Sequence, residues 1–152
     1  MRIVVVSGYF NPLHTGHLDY LEAAKKLGNR LIVIVNNDHQ VKGKGSVPFM
    51  KFRDRLRIVA ALSCVDTAVE SVDFDPSVVQ TLKRLYESHS VDYFYESMTF
   101  ANGGDRHAGN SPEEQYCNGV GIHLAYDVGG GKTNSSSTII SSATDTNKIR
   151  NV

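Results

Sequence analysis

The chain has 152 residues, of which 41% are hydrophobic and 21% charged, and its 16 basic residues balance 16 acidic ones. These values predict one folded domain, residues 1–152, and argue against a disordered chain and against a nucleic-acid binder, which needs a basic surface. The 2 cysteines are too far apart to indicate a disulfide scaffold or a structural zinc site, and the short apolar start predicts a cytoplasmic protein without a membrane span.

The first half of the chain predicts alternating strands and helices. A run of β-branched residues at 3–7 ends at Gly8 and is typical of a strand that is buried on both faces. The period then changes to that of a helix over 14–28, and a second apolar run follows at 30–38. The elements predicted next are a polar loop at 40–49, a helix at 51–65, a short strand at 66–72 and a helix at 76–89.

The second half is less regular. The pattern of VDYFYE, residues 91–96, predicts another strong strand, and SMTFANGGDRHAGN after it predicts a long loop. A Ser-Pro-Glu-Glu start then predicts a helix, IHLAYDV predicts a strand, and a loop rich in glycine and serine covers 129–142. The order of elements indicates an α/β fold: a single-domain, Rossmann-like, doubly wound and mostly parallel sheet with helices on both faces.

A histidine pair follows the first predicted strand. In SGYFNPLHTGHLDYL, His14 and His17 stand three positions apart at the entry of the first helix, where backbone amides and the helix dipole favour phosphate. Gly8 and Gly16 allow the backbone to approach a ligand closely. Two imidazoles at this place can donate hydrogen bonds to phosphate oxygens that gain charge in a transition state. We favour this interpretation over the alternative, two histidines that only form a turn.

Two later segments can complete a phosphate site. NGGDR places Asp105 and Arg106 after two glycines, and the family resemblance described next implies that they contact a ribose or a base. NSSSTII, residues 134–140, has the pattern of a helix start that presents hydroxyls and amides to phosphate. The alternatives are an ordinary Gly-Asp turn and a flexible serine-rich loop.

These segments together carry a resemblance to a known family. GYFNPLHTGH resembles the signature of the HxGH nucleotidyltransferase superfamily, in its cytidylyltransferase-like branch of the glycerol-3-phosphate cytidylyltransferase and heptose-1-phosphate adenylyltransferase type. YLEAAKKLGNRLIVIVNND and RLRIVAALSCVD resemble the elements that follow in that branch, NGGDR resembles its nucleotide loop, and NSSSTII resembles its ISTTxII phosphate segment. The chain departs from the family at Asn11, where Asp is frequent, and at YESMT, which looks like extra sequence.

The resemblance implies an enzyme that moves a nucleoside monophosphate, CMP slightly favoured over AMP, from a nucleoside triphosphate to a small phosphorylated alcohol or sugar phosphate. Pyrophosphate is the second product, and Mg²⁺ is carried by the nucleotide phosphates without protein ligands. A homodimer is also implied. The alternatives are an adenylyltransferase that acts on a heptose phosphate or a cofactor precursor, and a regulatory module that binds nucleotide without turnover.

The resemblance also implies a set of site residues. The implied catalytic residues are His14, His17 and Lys44, with Lys42 an open alternative to Lys44. The implied nucleotide contacts are Gly8, Tyr9, Phe10, Asn11, Gly16, Lys42, Gly104, Asp105, Arg106, Ser135, Ser136 and Ser137. The implied contacts to the acceptor are Asp38 and Arg55.

Overall fold

The computed structural model describes residues 1–104, 109 and 111–130. The strands are β1 (Arg2–Gly8), β2 (Arg30–Val35), β3 (Thr67–Glu70), β4 (Ser97–Ala101) and β5 (His123–Ala125). The helices are α1 (Thr15–Lys25), α2 (Asp38–Gly43), α3 (Phe52–Ala60), α4 (Val79–His89) and α5 (Pro112–Val120). None of the helices within these ranges is long and apolar enough to cross a membrane. That the whole chain is one domain stays a prediction.

The strands form one parallel sheet in the order β3-β2-β1-β4-β5. The chain moves outward from β1 to β3 and then crosses back, which places β4 on the other side of β1. Val5 in the middle of β1 pairs with Ile32 on one side and with Phe100 on the other. The predicted Rossmann-like α/β fold is thus confirmed. The crevice between the carboxyl ends of β1 and β4 is the switch point at which such sheets bind ligands.

Alternate side chains of β1 point to opposite faces of the sheet, and helices cover both faces. On one face, Val4 lies in a cluster with Leu21 of α1 and Val59 of α3. On the other face, Val5 lies in a cluster with Leu82 of α4. All five side chains are fully buried. The β-branched run at the start of the chain is therefore buried on both faces, as its composition predicted.

Residues 91–96 do not form a strand, so the prediction of one there is wrong. They form a turn in which Tyr93 is 93% exposed. The strand is the SMTFA segment that follows, β4, which was predicted as a loop and which pairs with residues 2–5 of β1. Met98, Phe100 and Ala101 of β4 are buried in the sheet, and this burial outweighs the strand propensity of residues 91–96. The last three residues of YESMT, which looks like extra sequence, belong to β4, an interior strand of the sheet.

The predicted loop at 40–49 begins as the short helix α2. The side chain of Asn37 accepts a hydrogen bond from the backbone N–H of Gln40 at 2.9 Å, and Oε1 of Gln40 accepts one from the backbone N–H of Asn37 at 3.1 Å. This reciprocal arrangement is a capping box, and it starts the helix immediately after β2. The following helix, α3, ends at Ala60 and is shorter than the pattern at 51–65 predicted.

Candidate functional site

The segment between β1 and α1 makes a tight turn over the end of the sheet. Phe10 in this turn has a φ of 51° and is 1% exposed, so its ring packs into the core. A Cβ atom on Gly8 would lie 2.7 Å from that ring, and a side chain at this position would displace it. Gly8 and Phe10 therefore have a packing role in shaping the turn, and their contact with a nucleotide stays a prediction.

The structure brings His14 and His17 together at the start of α1. His14 is the N-cap residue, and its ring stacks on that of His17 with centroids 3.7 Å apart and an interplanar angle of 25°. The backbone N–H of His14 donates a hydrogen bond to Nδ1 of His17 at 3.1 Å. Because Nδ1 accepts this bond, a neutral His17 carries its proton on Nε2. That tautomer suits the donation of a hydrogen bond to a phosphate oxygen.

The surroundings of this pair favour an anion. The pair lies beyond the carboxyl end of β1, at the switch point of the sheet, and both side chains are half-buried. The ring of Phe10 meets that of His17 edge-on with centroids 5.0 Å apart, which fixes the orientation of the imidazole. The first turn of α1, which includes the half-buried Gly16, has no acidic residue that would offset the positive end of the helix dipole.

Of the two candidate lysines, Lys44 is the one with a described contact to the turn after β1. Its Nζ lies 4.2 Å from the centre of the Tyr9 ring, a cation–π distance. Lys44 caps the C-terminus of α2, whereas Lys42 lies exposed in the last turn of that helix. This geometry favours Lys44 over Lys42 as the lysine beside the turn after β1. A direct contact of either lysine or of Tyr9 with nucleotide stays a prediction.

Asn11 directs its side chain into the protein. Its Nδ2 donates to the carbonyl of Val47 at 2.8 Å, and its Oδ1 accepts from the backbone N–H groups of Phe49 at 2.8 Å and Met50 at 3.4 Å. The side chain is only 5% exposed. Asn11 thus fastens the segment after α2 to the turn after β1, and its contact with a nucleotide stays a prediction.

Arg55, which was predicted to contact the acceptor, has a fully buried guanidinium. It donates to the carbonyls of Tyr9 and Asn36, each at 2.7 Å, to the carbonyl of Met50 at 3.0 Å, and to Oδ1 of Asp38 at 2.6 Å. Oδ2 of Asp38 accepts from the backbone N–H that begins α3, at 3.1 Å. Arg55 and Asp38 therefore hold the ends of β1 and β2 to α3, and an acceptor contact of either residue stays a prediction.

A network of side chains beyond β2 was not predicted from the sequence. Nε2 of Gln40 donates to the carbonyls of Asp75 and Ser77 at 2.8 and 3.0 Å, and Nδ2 of Asn37 donates to the carbonyls of Ser71 and Asp73, both at 2.9 Å. These bonds hold the segment after β3 against α2. The Asn-x-x-Gln spacing could have indicated the helix start, but not the partners thirty or more positions away.

The remaining predicted nucleotide contacts come from the second half of the chain. Gly104 is half-buried, three residues after β4 ends, whereas Asp105, Arg106, Ser135, Ser136 and Ser137 lie outside the described residues. Gly129 passes so close to α1 that a Cβ atom on it would lie 2.9 Å from Cα of Tyr20. At Gly129 the chain thus lies against α1 at Tyr20, about one helical turn beyond His17.

The cysteines do not resemble reactive nucleophiles. Burial, with a smaller contribution from the neighbouring Glu113 and Glu114, raises the pKa of the Cys117 thiol to about 12. Burial also raises the pKa of Cys64. A thiol with a raised pKa holds little thiolate near neutral pH. Within residues 1–104, 109 and 111–130, no group of three or more His, Cys, Asp or Glu side chains is arranged to hold a metal ion.

Comparison with known proteins places this geometry in context. The bifunctional protein HldE of Blochmanniella pennsylvanica is 40% identical over 109 residues, which are 70% of this chain and 20% of that protein. HldE of Haemophilus influenzae (strain PittEE) is 40% identical over 113 residues, 68% of this chain and 24% of that protein. The chain therefore spans about a fifth to a quarter of the length of these curated relatives.

Solved structures share the fold. The lipopolysaccharide core biosynthesis protein from Thermoplasma volcanium GSS1 superposes with a TM-score of 0.63 at 26% identity, over 83% of this chain and 93% of that one. NadR in complex with NAD and AMP-PNP superposes with a TM-score of 0.53 at 17% identity, over 99% of this chain and 42% of that one, which shows the fold alone. A match to the cytidylyltransferase-like family extends over residues 5–109, from the first strand through both histidines and past the double glycine after β4. This protein therefore belongs to the cytidylyltransferase-like family.

Proposed function

We propose that this protein is a nucleotidyltransferase that moves a nucleoside monophosphate, CMP in preference to AMP, from a nucleoside triphosphate to a small phosphorylated alcohol or sugar phosphate. One observation carries the proposal: the stacked pair of His14 and His17 at the start of α1, beside the switch point between β1 and β4. Imidazole donors, the backbone amides of a first helical turn and the positive end of a helix dipole all favour phosphate. Membership of the cytidylyltransferase-like family supports the same reaction class.

In the proposed reaction, an oxygen of the acceptor phosphate attacks the α-phosphorus of the nucleoside triphosphate. A new P–O bond forms to the acceptor, the bond from the α-phosphorus to the bridging oxygen breaks, and pyrophosphate leaves with that electron pair. Because the protein forms no covalent bond to the nucleotide, the rate depends on positioning and on stabilising the charge that develops on the phosphate oxygens.

The histidines are suited to that task. With Nδ1 of His17 accepting the backbone N–H of His14, the Nε2–H of His17 can donate to an α- or β-phosphate oxygen. His14, which stacks on it, supplies a second imidazole at the same place. Hydrogen bonds of this kind strengthen as negative charge accumulates, so they lower the energy of the transition state more than that of the bound substrate.

The proposed cations are Lys44 and the magnesium of the substrate. The ammonium of Lys44 lies against Tyr9, which directly follows β1, and from there it would neutralise charge on the reacting phosphates. Mg²⁺ enters with the nucleotide, since it prefers phosphate oxygens and water as ligands. Lys42, on the exposed side of α2, is the second choice for the lysine.

Recognition of the base and of the outer phosphates is assigned to residues outside the described ranges. We propose that Asp105 and Arg106, which follow Gly104, contact the ribose and the base. We propose that Ser135, Ser136 and Ser137 contact the β- and γ-phosphates. The approach of Gly129 to α1 supports the second assignment, because the serines follow it by only a few positions.

The acceptor is proposed as a phosphorylated sugar or alcohol. Similarity to a lipopolysaccharide core biosynthesis protein, at 26% identity, supports a sugar phosphate. Resemblance to the heptose-1-phosphate adenylyltransferases keeps transfer of AMP as the second candidate.

The proposal is tested by pyrophosphate release. The protein is incubated with MgCl₂ and each of CTP, ATP, GTP and UTP, with and without glycerol 3-phosphate or a panel of sugar 1-phosphates. We expect release that depends on the acceptor and is greatest with CTP. Greatest release with ATP would favour the adenylyltransferase. A thermal shift with a nucleotide, but no release with any acceptor, would identify a regulatory binding module instead.

Assembly and location complete the proposal. We expect a homodimer in solution, which light scattering coupled to size-exclusion chromatography would measure as twice the mass of the 16.7 kDa chain. We expect the protein to act in the cytoplasm, where nucleoside triphosphates are abundant, and cell fractionation would test this.

A further inference from the structure

Three contacts fasten the segment 44–50 to the turn after β1. The ammonium of Lys44 lies over the ring of Tyr9, at 4.2 Å from its centre. Two positions after Tyr9, the side chain of Asn11 bonds to Val47 and Phe49, each at 2.8 Å. Arg55 closes the end of the segment by bridging the carbonyls of Tyr9 and Met50. The segment that carries the proposed phosphate-binding lysine is thus held at its start, middle and end.

We propose that Asn11 and Tyr9 are positioning residues, which hold the ammonium of Lys44 at the phosphate site before a nucleotide binds. This inference rests on the proposed function. According to this inference, the side chains of Asn11 and Tyr9 affect the reaction only through the position of Lys44. The buried side chain of Asn11 supports this, because its oxygen and one of its amide hydrogens already bond to the 44–50 segment.

The chemistry of the two side chains fits this role. An amide both donates and accepts, so Asn11 satisfies the carbonyl of Val47 and the N–H of Phe49 together. A carboxylate at the same position could not donate to Val47 and would repel its carbonyl oxygen. The face of the Tyr9 ring attracts a cation electrostatically, which restricts the rotation of the lysine side chain. Ordering Lys44 in advance removes part of the entropy that phosphate binding would otherwise cost.

A double-mutant cycle tests the inference. Pyrophosphate release is measured with MgCl₂, CTP or ATP, and the best acceptor, for Asn11→Ala, Lys44→Ala and the double variant. We expect Lys44→Ala to lower kcat/KM by about tenfold alone but by less than about threefold in the Asn11→Ala background. Lys83→Ala, an exposed lysine on α4, should leave the effect of Asn11→Ala unchanged. If the effects of Asn11→Ala and Lys44→Ala multiply, Asn11 does not act through Lys44 and the inference is overturned.

A second measurement needs neither nucleotide nor turnover, so it separates failure of this inference from failure of the proposed function. A ring current shifts protons that lie over an aromatic face upfield. We expect the ε-methylene protons of Lys44 to resonate upfield in the apo protein and to move to the ordinary lysine position in Asn11→Ala. Unchanged Lys44 resonances in that variant would refute the positioning role, whatever the enzyme turns out to transfer.

Tyr9→Leu provides the same test without loss of the Asn11 bonds, should Asn11→Ala fold poorly. It removes the aromatic face under Lys44 and keeps a smaller apolar side chain. We expect Tyr9→Leu to abolish the upfield shift and to reduce the effect of Lys44→Ala on kcat/KM to less than about threefold. A full tenfold effect of Lys44→Ala in this background would contradict the inference.

Discussion

Two polar turns stand side by side at the carboxyl edge of the sheet, one after β1 and one after β2. The turn after β1 stacks His14 on His17 at the start of a helix and leaves both half-buried beside the crevice. The turn after β2 directs the side chains of Asn37 and Gln40 into bonds with each other and with the segment after β3. One turn is suited to bind a ligand, and the other holds the fold together.

The difference teaches that polarity at the end of a parallel strand has two uses. Both turns are rich in hydrogen-bonding side chains, and both lead into a helix through a cap. What separates them is how deeply the polar side chains are buried: the two histidines are half-buried, whereas Gln40 is almost fully buried. Gln40 is 2% exposed, and its side-chain amide already makes four hydrogen bonds inside the protein, so it is not available to bind a ligand.

The largest expected effect tests the turn after β1. His17→Ala should lower kcat by about 10²–10⁴-fold, because it removes a donor to the transition state, and should change stability little. Pyrophosphate release and thermal unfolding measure the two effects. The matched control is His39→Ala, an exposed histidine in the turn after β2, which should keep activity within about twofold. Equal loss of activity in both variants would break the distinction between the turns.

The next effect concerns Arg55, which joins the two turns. Arg55→Ala leaves three carbonyls and the Asp38 carboxylate without their buried partner, so we expect the free energy of unfolding to fall by about 3–5 kcal/mol. Urea unfolding measures it. Arg53→Ala, an exposed arginine on the same helix, should stay within about 0.5 kcal/mol of the wild type. A loss of activity without a loss of stability in Arg55→Ala would instead support the predicted contact of Arg55 with the acceptor.

A smaller effect is expected at the turn after β2 itself. Gln40→Leu keeps the size of the side chain but removes its bonds to two carbonyls and two amide groups. Leaving buried polar groups unsatisfied should cost about 1–3 kcal/mol of stability, measured by urea unfolding. KM for the nucleotide should change little in the remaining folded protein. A selective rise in that KM would show that the turn after β2 also serves the ligand.

The smallest effect lies at the opposite end of β2, away from both turns. Burial tends to raise the pKa of Asp66, but hydrogen bonds from Lys25 and from the backbone N–H of Leu31 outweigh it and lower the pKa below its ordinary value of 3.8. A lowered pKa stabilises the folded state above the unfolded value and loses that stabilisation as the pH falls through the folded value. Asp66→Asn should therefore cost under about 1 kcal/mol at pH 7, since the pair is partly exposed. The difference from the wild type should shrink below pH 3.8, and a difference that grows there would contradict the assignment.

The sequence was sufficient for much of the fold and for the histidine pair. The β-branched run of β1 and the helical period after it depend on local pattern, and so does the placement of His14 and His17 at the start of a helix. The prediction of a strand at 91–96 failed because pairing with β1 outweighs local strand propensity. Register with β1 selects the SMTFA segment, and that long-range choice leaves little trace in the local sequence.

The roles of Arg55 and Asn11 could not be predicted for a related reason. A buried arginine is recognised by the carbonyls around it, and those carbonyls belong to segments up to 46 positions away. The contact between Tyr9 and Lys44 likewise depends on how α2 returns to the end of β1. The sequence identified these side chains as part of one region, but their partners depend on the folded chain.

The pairing of β1 with β4 has a consequence for synthesis. Residue 2 pairs with residue 97, so the crevice beside the histidine pair exists only after most of the chain has been made. The first βαβ unit can form while the chain is still being synthesised. The edge of β1 that pairs with β4 then stays unpaired until β4 has been made. Long-range parallel pairing of this kind is slow, because a large loop must close before its contacts form. We therefore expect ligand binding to develop late in folding, after the helices that flank β1 are already in place.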